Sequence, residues 1–258
     1  MPDLEAALRR RLDGGGRCFV PYVTGGLPGV DAALLQALRD AGADAIEVGV
    51  PFSDPVMDGG VIQEASAAAL AAGARPADVL AMIDKAALDV PVAVMTYVNP
   101  VFRHGIDGFL GEAREAGVAA TIVPDLPVDE AGEWIERSRA HGIQTVFLAA
   151  PGTAPQRLRA VADASRGFVY CVATYGVTGA RDELAGTARE VVGALRPLTD
   201  TPLLVGVGIA KPEQAEAASV FADGVVVGSA LMARMLQGDA EGTVALAAAF
   251  REHVPTGS

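Results

Sequence analysis

Short, nearly continuous apolar runs recur along the chain and alternate with stretches whose apolar residues fall at helical spacing. The runs cover residues 18–24, 44–50, 92–98, 120–123, 144–149, 167–172, 203–207 and 224–227, eight in all. Apolar residues uninterrupted by polar ones mark strands buried on both faces, the pattern of a parallel sheet. Between them, residues 31–41, 62–72, 77–87, 106–116, 129–141, 154–164, 182–195 and 212–218 carry Ala- and Leu-rich amphipathic patterns. No long linker breaks the series, so eight strand–helix units predict a closed barrel rather than an open sheet. Residues 3–12 predict an extra helix ahead of the first strand, across the barrel bottom, and residues 241–252 a closing helix. The expected fold is α/β, a single (β/α)8 TIM barrel with an extra N-terminal helix, spanning residues 1–258.

Composition narrows the function classes. The 258 residues match the usual length of one such barrel. A net charge of -12 argues against nucleic acid or an anionic membrane as the main partner. The two cysteines, Cys18 and Cys171, lie in separate apolar runs, and the three histidines are scattered, so neither a disulfide framework nor a metal site is expected. With no basic-then-apolar leader and no apolar run near about 18 residues, the expected location is the cytoplasm.

The unusual residues fall where such barrels keep their chemistry, at the C-terminal ends of the strands. Glu47 sits inside the second apolar run between Ile46 and Val48, and the loop after it offers Asp54 and Asp58. A carboxylate fixed on a strand with a second on the following loop suits acid/base chemistry. Glu47 could instead be a structural group paired with a buried base. Asp54 could be a turn former, as could Asp58, which precedes Gly59. At later strand ends, Gly179, Gly208, Gly228 and Ser229 form a candidate cradle for a phosphate monoester, since glycine permits close backbone approach and a helix start favours an anion. Taken singly they are also ordinary turn glycines and a serine cap. Tyr22, Tyr97 and Tyr170 could be pocket walls or core, and Asn99, before Pro100, is a turn candidate.

Several segments resemble one family, the alpha subunit of tryptophan synthase. They are Pro21-Tyr22-Val23-Thr24-Gly25-Gly26-Leu27-Pro28, Glu47-Val48-Gly49-Val50-Pro51-Phe52-Ser53-Asp54-Pro55 with Asp58-Gly59 and Ile62-Gln63, Met95-Thr96-Tyr97-Val98-Asn99-Pro100, Pro124-Asp125-Leu126-Pro127 and Gly176-Val177-Thr178-Gly179. The resemblance covers nearly the whole chain. It implies a TIM-barrel lyase that cleaves indole-3-glycerol phosphate to indole and glyceraldehyde 3-phosphate. By matching position, it implies Glu47 and Asp58 as catalytic groups and Tyr22 and Tyr97 around the indole ring. It places Tyr170 near the catalytic glutamate and Thr178 against the catalytic aspartate, and makes Gly179, Gly208, Gly228 and Ser229 the phosphate binders. The loop after the sixth strand would act as a lid. No cofactor or metal is implied in this chain; pyridoxal phosphate is expected only in a partner beta subunit, within an αββα tetramer. Departures from the family's usual residues are Met57 for Ala, Gly60 for Pro and Ala173 for Ser. Gly60 in place of Pro is expected to loosen the loop beside Asp58.

Overall fold

The computed structural model describes residues 2–172, 181–206 and 208–257, the span 181–185 by backbone alone. Its strands are β1 (Cys18–Thr24), β2 (Ile46–Gly49), β3 (Val92–Met95), β4 (Val118–Ile122), β5 (Gln144–Val146), β6 (Leu148–Ala149), β7 (Val169–Val172), β8 (Leu203–Gly206) and β9 (Gly224–Val227). All pair in parallel, in the order β5-β4-β3-β2-β1-β9-β8-β7-β6. The two ends of that order are consecutive in the chain. β5 and β6 are halves of the expected fifth strand, interrupted at Phe147, whose carbonyl still accepts the Tyr170 N–H at 3.0 Å. One half pairs with β4 and the other with β7, so the sheet closes on itself as the expected TIM barrel.

The N-terminal helix (Leu4–Asp13) crosses the bottom, with Leu4 and Leu8 fully buried. Its Glu5 ties it to the barrel: the Glu5 N–H donates to Gln144 Oε1 at 3.1 Å, and the Glu5 carboxylate accepts the Gly167 N–H at 3.1 Å. Two buried-side aspartates brace neighbouring strand starts at this end. Asp44 donates its N–H to the Phe19 carbonyl at 2.9 Å and accepts the Phe19 N–H on its carboxylate at 2.8 Å. Asp223 repeats the exchange with Leu203, at 2.9 and 2.8 Å. Arginines neutralise both: Arg11 and Arg251 at Asp44, Arg196 at Asp223. Arg251 lies in the last helix (Ala240–His253), so the same charge cluster fastens the C-terminal segment to the barrel.

Strand three is shorter than the apolar run suggests. It stops at Met95, and a helix, Val98–His104, replaces the expected strand end and the turn at Asn99. The cause is polar: the Asp125 carboxylate captures the Val98 N–H at 3.0 Å, and Pro100 falls in the first helical turn, where its missing N–H costs nothing. Among the described residues no single helix is long and apolar enough to cross a membrane.

The helix after β2 (Gly60–Ala71) begins at Gly60, behind an extended Gly59 at φ -71°, ψ 161° that offers no side-chain cap. A side chain at Gly60 would meet open space. Pro suits this first helical position, and an extended residue before it is what Pro requires. Gly60→Pro is therefore expected to stabilise the protein by about 0.4–1 kcal/mol through the unfolded chain, measured as a raised urea midpoint with unchanged m-value.

Candidate active site

A cavity of about 200 Å³ opens at the C-terminal ends of the strands. Glu47 of β2 lies on its floor, fully buried. Among the described residues neither carboxylate oxygen of Glu47 has a hydrogen-bond partner, so the alternative of a structural ion pair with a buried base does not hold. Asp58 enters from the loop after β2, half-buried. The wall is completed by Tyr22, Met57, Ile62, Met95, Tyr170 and Val226, and the far side by Gly208, Ile209, Ala210, Gly228 and Ser229.

Two tyrosines reach the cavity by the same packing device. Tyr22 on β1 is in register with Glu47 on β2, and its ring leans over Gly49, two residues further along that strand and on the same face. Tyr170 on β7 is in register with Leu204 on β8 and leans over Gly206 in the same way. A Cβ at either glycine would overlap the tyrosine ring. These two glycines are not in the sequence-derived set. The signal that could reveal them is a glycine two positions past the residue paired with an aromatic on the next strand.

Gly208 has φ +85°, a conformation glycine adopts without strain, and Gly228 precedes the helix Ser229–Met235. The structure thus brings Glu47, Asp58, Tyr22, Tyr170, Gly208, Gly228 and Ser229 to one cavity. Tyr97 is buried, 1% exposed, and stands behind the Asp58 loop rather than on the cavity wall. Thr178 and Gly179, Ala173, and the expected lid up to residue 180 lie outside the described residues. Asp54 is exposed and not part of the cavity. No group of described residues could hold a metal ion.

A family model described as tryptophan synthase alpha chain matches residues 9–254. This chain belongs to the tryptophan synthase alpha chain family. It is 47% identical to the alpha chain of Streptomyces coelicolor over 235 residues, covering 88% of this chain and 85% of the relative. It is 42% identical to that of Synechocystis over 253 residues, covering 95% and 94%. Among solved structures, Mycobacterium tuberculosis tryptophan synthase superposes with a TM-score of 0.90 at 39% identity, over 98% of both chains. The alpha chain from Legionella pneumophila gives 0.88 at 31%, over 98% of this chain and 97% of that one.

In this member of the family the two carboxyl groups titrate far from their ordinary range. Burial, reinforced by the charge of Asp58, pushes Glu47 from 4.5 up to about 8. Burial also pushes Asp58 from 3.8 up to about 6, against a hydrogen bond from Tyr97 that pulls it down. Burial and the same Asp58 charge push the Tyr22 hydroxyl well up, so it stays neutral.

Glu47 makes stability pH-dependent with a definite sign. Below about pH 4.5 its carboxyl is protonated in both the folded and the unfolded chain. As pH rises from there to about 8, the unfolded chain ionises the group while the fold keeps it protonated, and stability falls. Glu47→Gln removes this loss. Urea denaturation should find the variant and the parent closest below about pH 4.5, with the variant gaining on the order of a few kcal/mol by pH 8. Parallel stability curves across that range would contradict the burial account of Glu47.

Proposed function

We propose that Glu47 and Asp58 are the catalytic pair by which this alpha chain cleaves indole-3-glycerol phosphate to indole and glyceraldehyde 3-phosphate. The observation that carries the assignment is Glu47, fully buried with no partner for its carboxylate among the described residues, facing the same cavity as Asp58. Burial raises both carboxyl groups, Glu47 the further, which favours a proton on Glu47 and charge on Asp58 near neutral pH. The retro-aldol reaction needs that state. The Glu47 carboxyl delivers its proton to indole C3, which turns the ring into an indolenine. The Asp58 carboxylate accepts a hydrogen bond from the ring N–H and offsets the positive charge that develops there. The Glu47 carboxylate then takes the proton of the adjacent glycerol hydroxyl. The bond from C3 to the glycerol carbon breaks, its electrons return to the ring, and an aldehyde leaves.

Tyr22 and Tyr170 flank the ring in this reading. Gly208, Gly228 and Ser229 receive the phosphate at the other side of the cavity, where the helix Ser229–Met235 begins. The resemblance adds Gly179 to the phosphate groups and sets Thr178 against Asp58. Anchoring the phosphate sets the reacting carbon against Glu47. The proton transfers run on the chain's own carboxyl groups, and pyridoxal phosphate belongs to the partner beta subunit.

The partner would dock at the cavity mouth. Val56, on the loop beside Asp58, is 75% exposed, and Phe102, on the helix after β3, is 61% exposed. Exposed large apolar side chains are a cost that a covering partner removes. An αββα assembly with a beta subunit follows, and the chain's place is the cytoplasm.

Indole release from indole-3-glycerol phosphate tests both parts. Glu47→Gln should lose nearly all activity. Asp58→Asn should fall by on the order of a hundredfold or more. The profile of kcat/KM for the parent should be bell-shaped, with limbs near pH 6 and pH 8. An active Glu47→Gln variant would remove Glu47 from the mechanism. Separately, the isolated chain should turn over slowly and be accelerated by a tryptophan synthase beta subunit; fast release indifferent to the partner would mark a free-standing lyase.

A further inference from the structure

Asp58 lies on a loop whose neighbours Ser53 and Asp54 are exposed, so something must fix its carboxylate against the cavity. A rigid element that reaches its loop is the segment after β3. Thr96 still bonds back into the sheet, its N–H donating to the Ile122 carbonyl at 3.0 Å. Val98 is held by the Asp125 carboxylate at 3.0 Å. Tyr97 stands between these two anchored residues. Its ring stacks on Phe52 from the Asp58 loop, with centroids 5.1 Å apart and planes at 27°. Its hydroxyl accepts the Met57 N–H at 3.2 Å, which leaves the phenol proton free to donate. Beside it is the carboxylate of the next residue, Asp58.

We propose that Tyr97 is a positioning residue: it grips the loop after β2 at Phe52 and Met57 and directs the Asp58 carboxylate into the cavity through its hydroxyl. The proposal rests on the reading of Asp58 as a catalytic group. It assigns Tyr97 a place behind the carboxylate instead of against the indole ring. Among the described residues, the charged and titratable groups around Asp58 are Glu47 on β2, Tyr22 on β1 and Tyr97 itself, with Asp125 acting on Tyr97 from the loop after β4. None of these is a cation. Among the described residues the Tyr97 hydroxyl, a neutral donor, is therefore what steadies the Asp58 charge, and its loss moves the Asp58 titration upward.

Tyr97→Phe keeps the ring and its stack on Phe52 and removes only the hydroxyl. The expected result is a fall in kcat of about tenfold with KM little changed. The acidic limb of the pH profile should move to higher pH. The 13C-carboxylate resonance of Asp58, followed without substrate, should show the same upward move. Site-specific 3-fluorotyrosine at position 97, a stronger donor in an unchanged shape, should move limb and resonance the opposite way, and it keeps the test valid if the Phe variant folds poorly. Lost activity with both titrations unmoved would assign Tyr97 a structural role and overturn the proposal. The NMR titration needs no turnover, so it separates a failure of this inference from a failure of the catalytic assignment, which Glu47→Gln decides.

Discussion

The site depends on one unfavourable burial. Glu47 is carried on a central strand into the barrel interior, with no partner for its oxygens among the described residues. An unpaired carboxylate there would be costly, so the group stays protonated up to about pH 8. That proton is the one the proposed reaction delivers to C3. The fold therefore carries a destabilisation at the proposed catalytic centre, and the surrounding barrel must be stable enough to bear it.

The stabilising interactions are placed at the other end. Asp44 and Asp223 pair with neighbouring strand starts and with Arg11, Arg251 and Arg196, on the face opposite the cavity. The N-terminal helix seals the same face with Leu4 and Leu8. At the cavity end two strands, β2 and β8, finish in glycine. Gly49 and Gly206 let the Tyr22 and Tyr170 rings lie flat over the sheet, and Gly208 turns its backbone through a positive φ. Stability and chemistry are thus separated along the barrel axis, which lets the cavity-end loops vary without unseating the strands.

Asp58 shows how the two regions meet. It lies on a loop, yet it contacts the rigid end of β3 through Tyr97. Its carboxyl feels burial, which raises its titration, and a hydrogen bond, which lowers it. The balance leaves its titration below that of Glu47, the more deeply buried of the two. Equal burial of both groups would leave them competing for the same proton, with no fixed division of roles.

Much of this was written in the sequence. Eight apolar runs of strand length separated by amphipathic stretches admit few arrangements other than a barrel, because a parallel strand must be covered on both faces. Glu47 stands out within an apolar run, and the motif segments carry the family. What the sequence does not contain is register and direction. The break at Phe147, the early end of β3, the tyrosine–glycine pairs and the position of Tyr97 behind Asp58 all arise from contacts between residues distant in the chain. Residue type alone marked Tyr22, Tyr97 and Tyr170 as equivalent candidates; only the packing of neighbouring strands turned two of them into the cavity and the third against the loop. The sequence determined which groups were available, and the tertiary structure decided which of them were dry, which were held, and therefore which carry a proton near neutral pH.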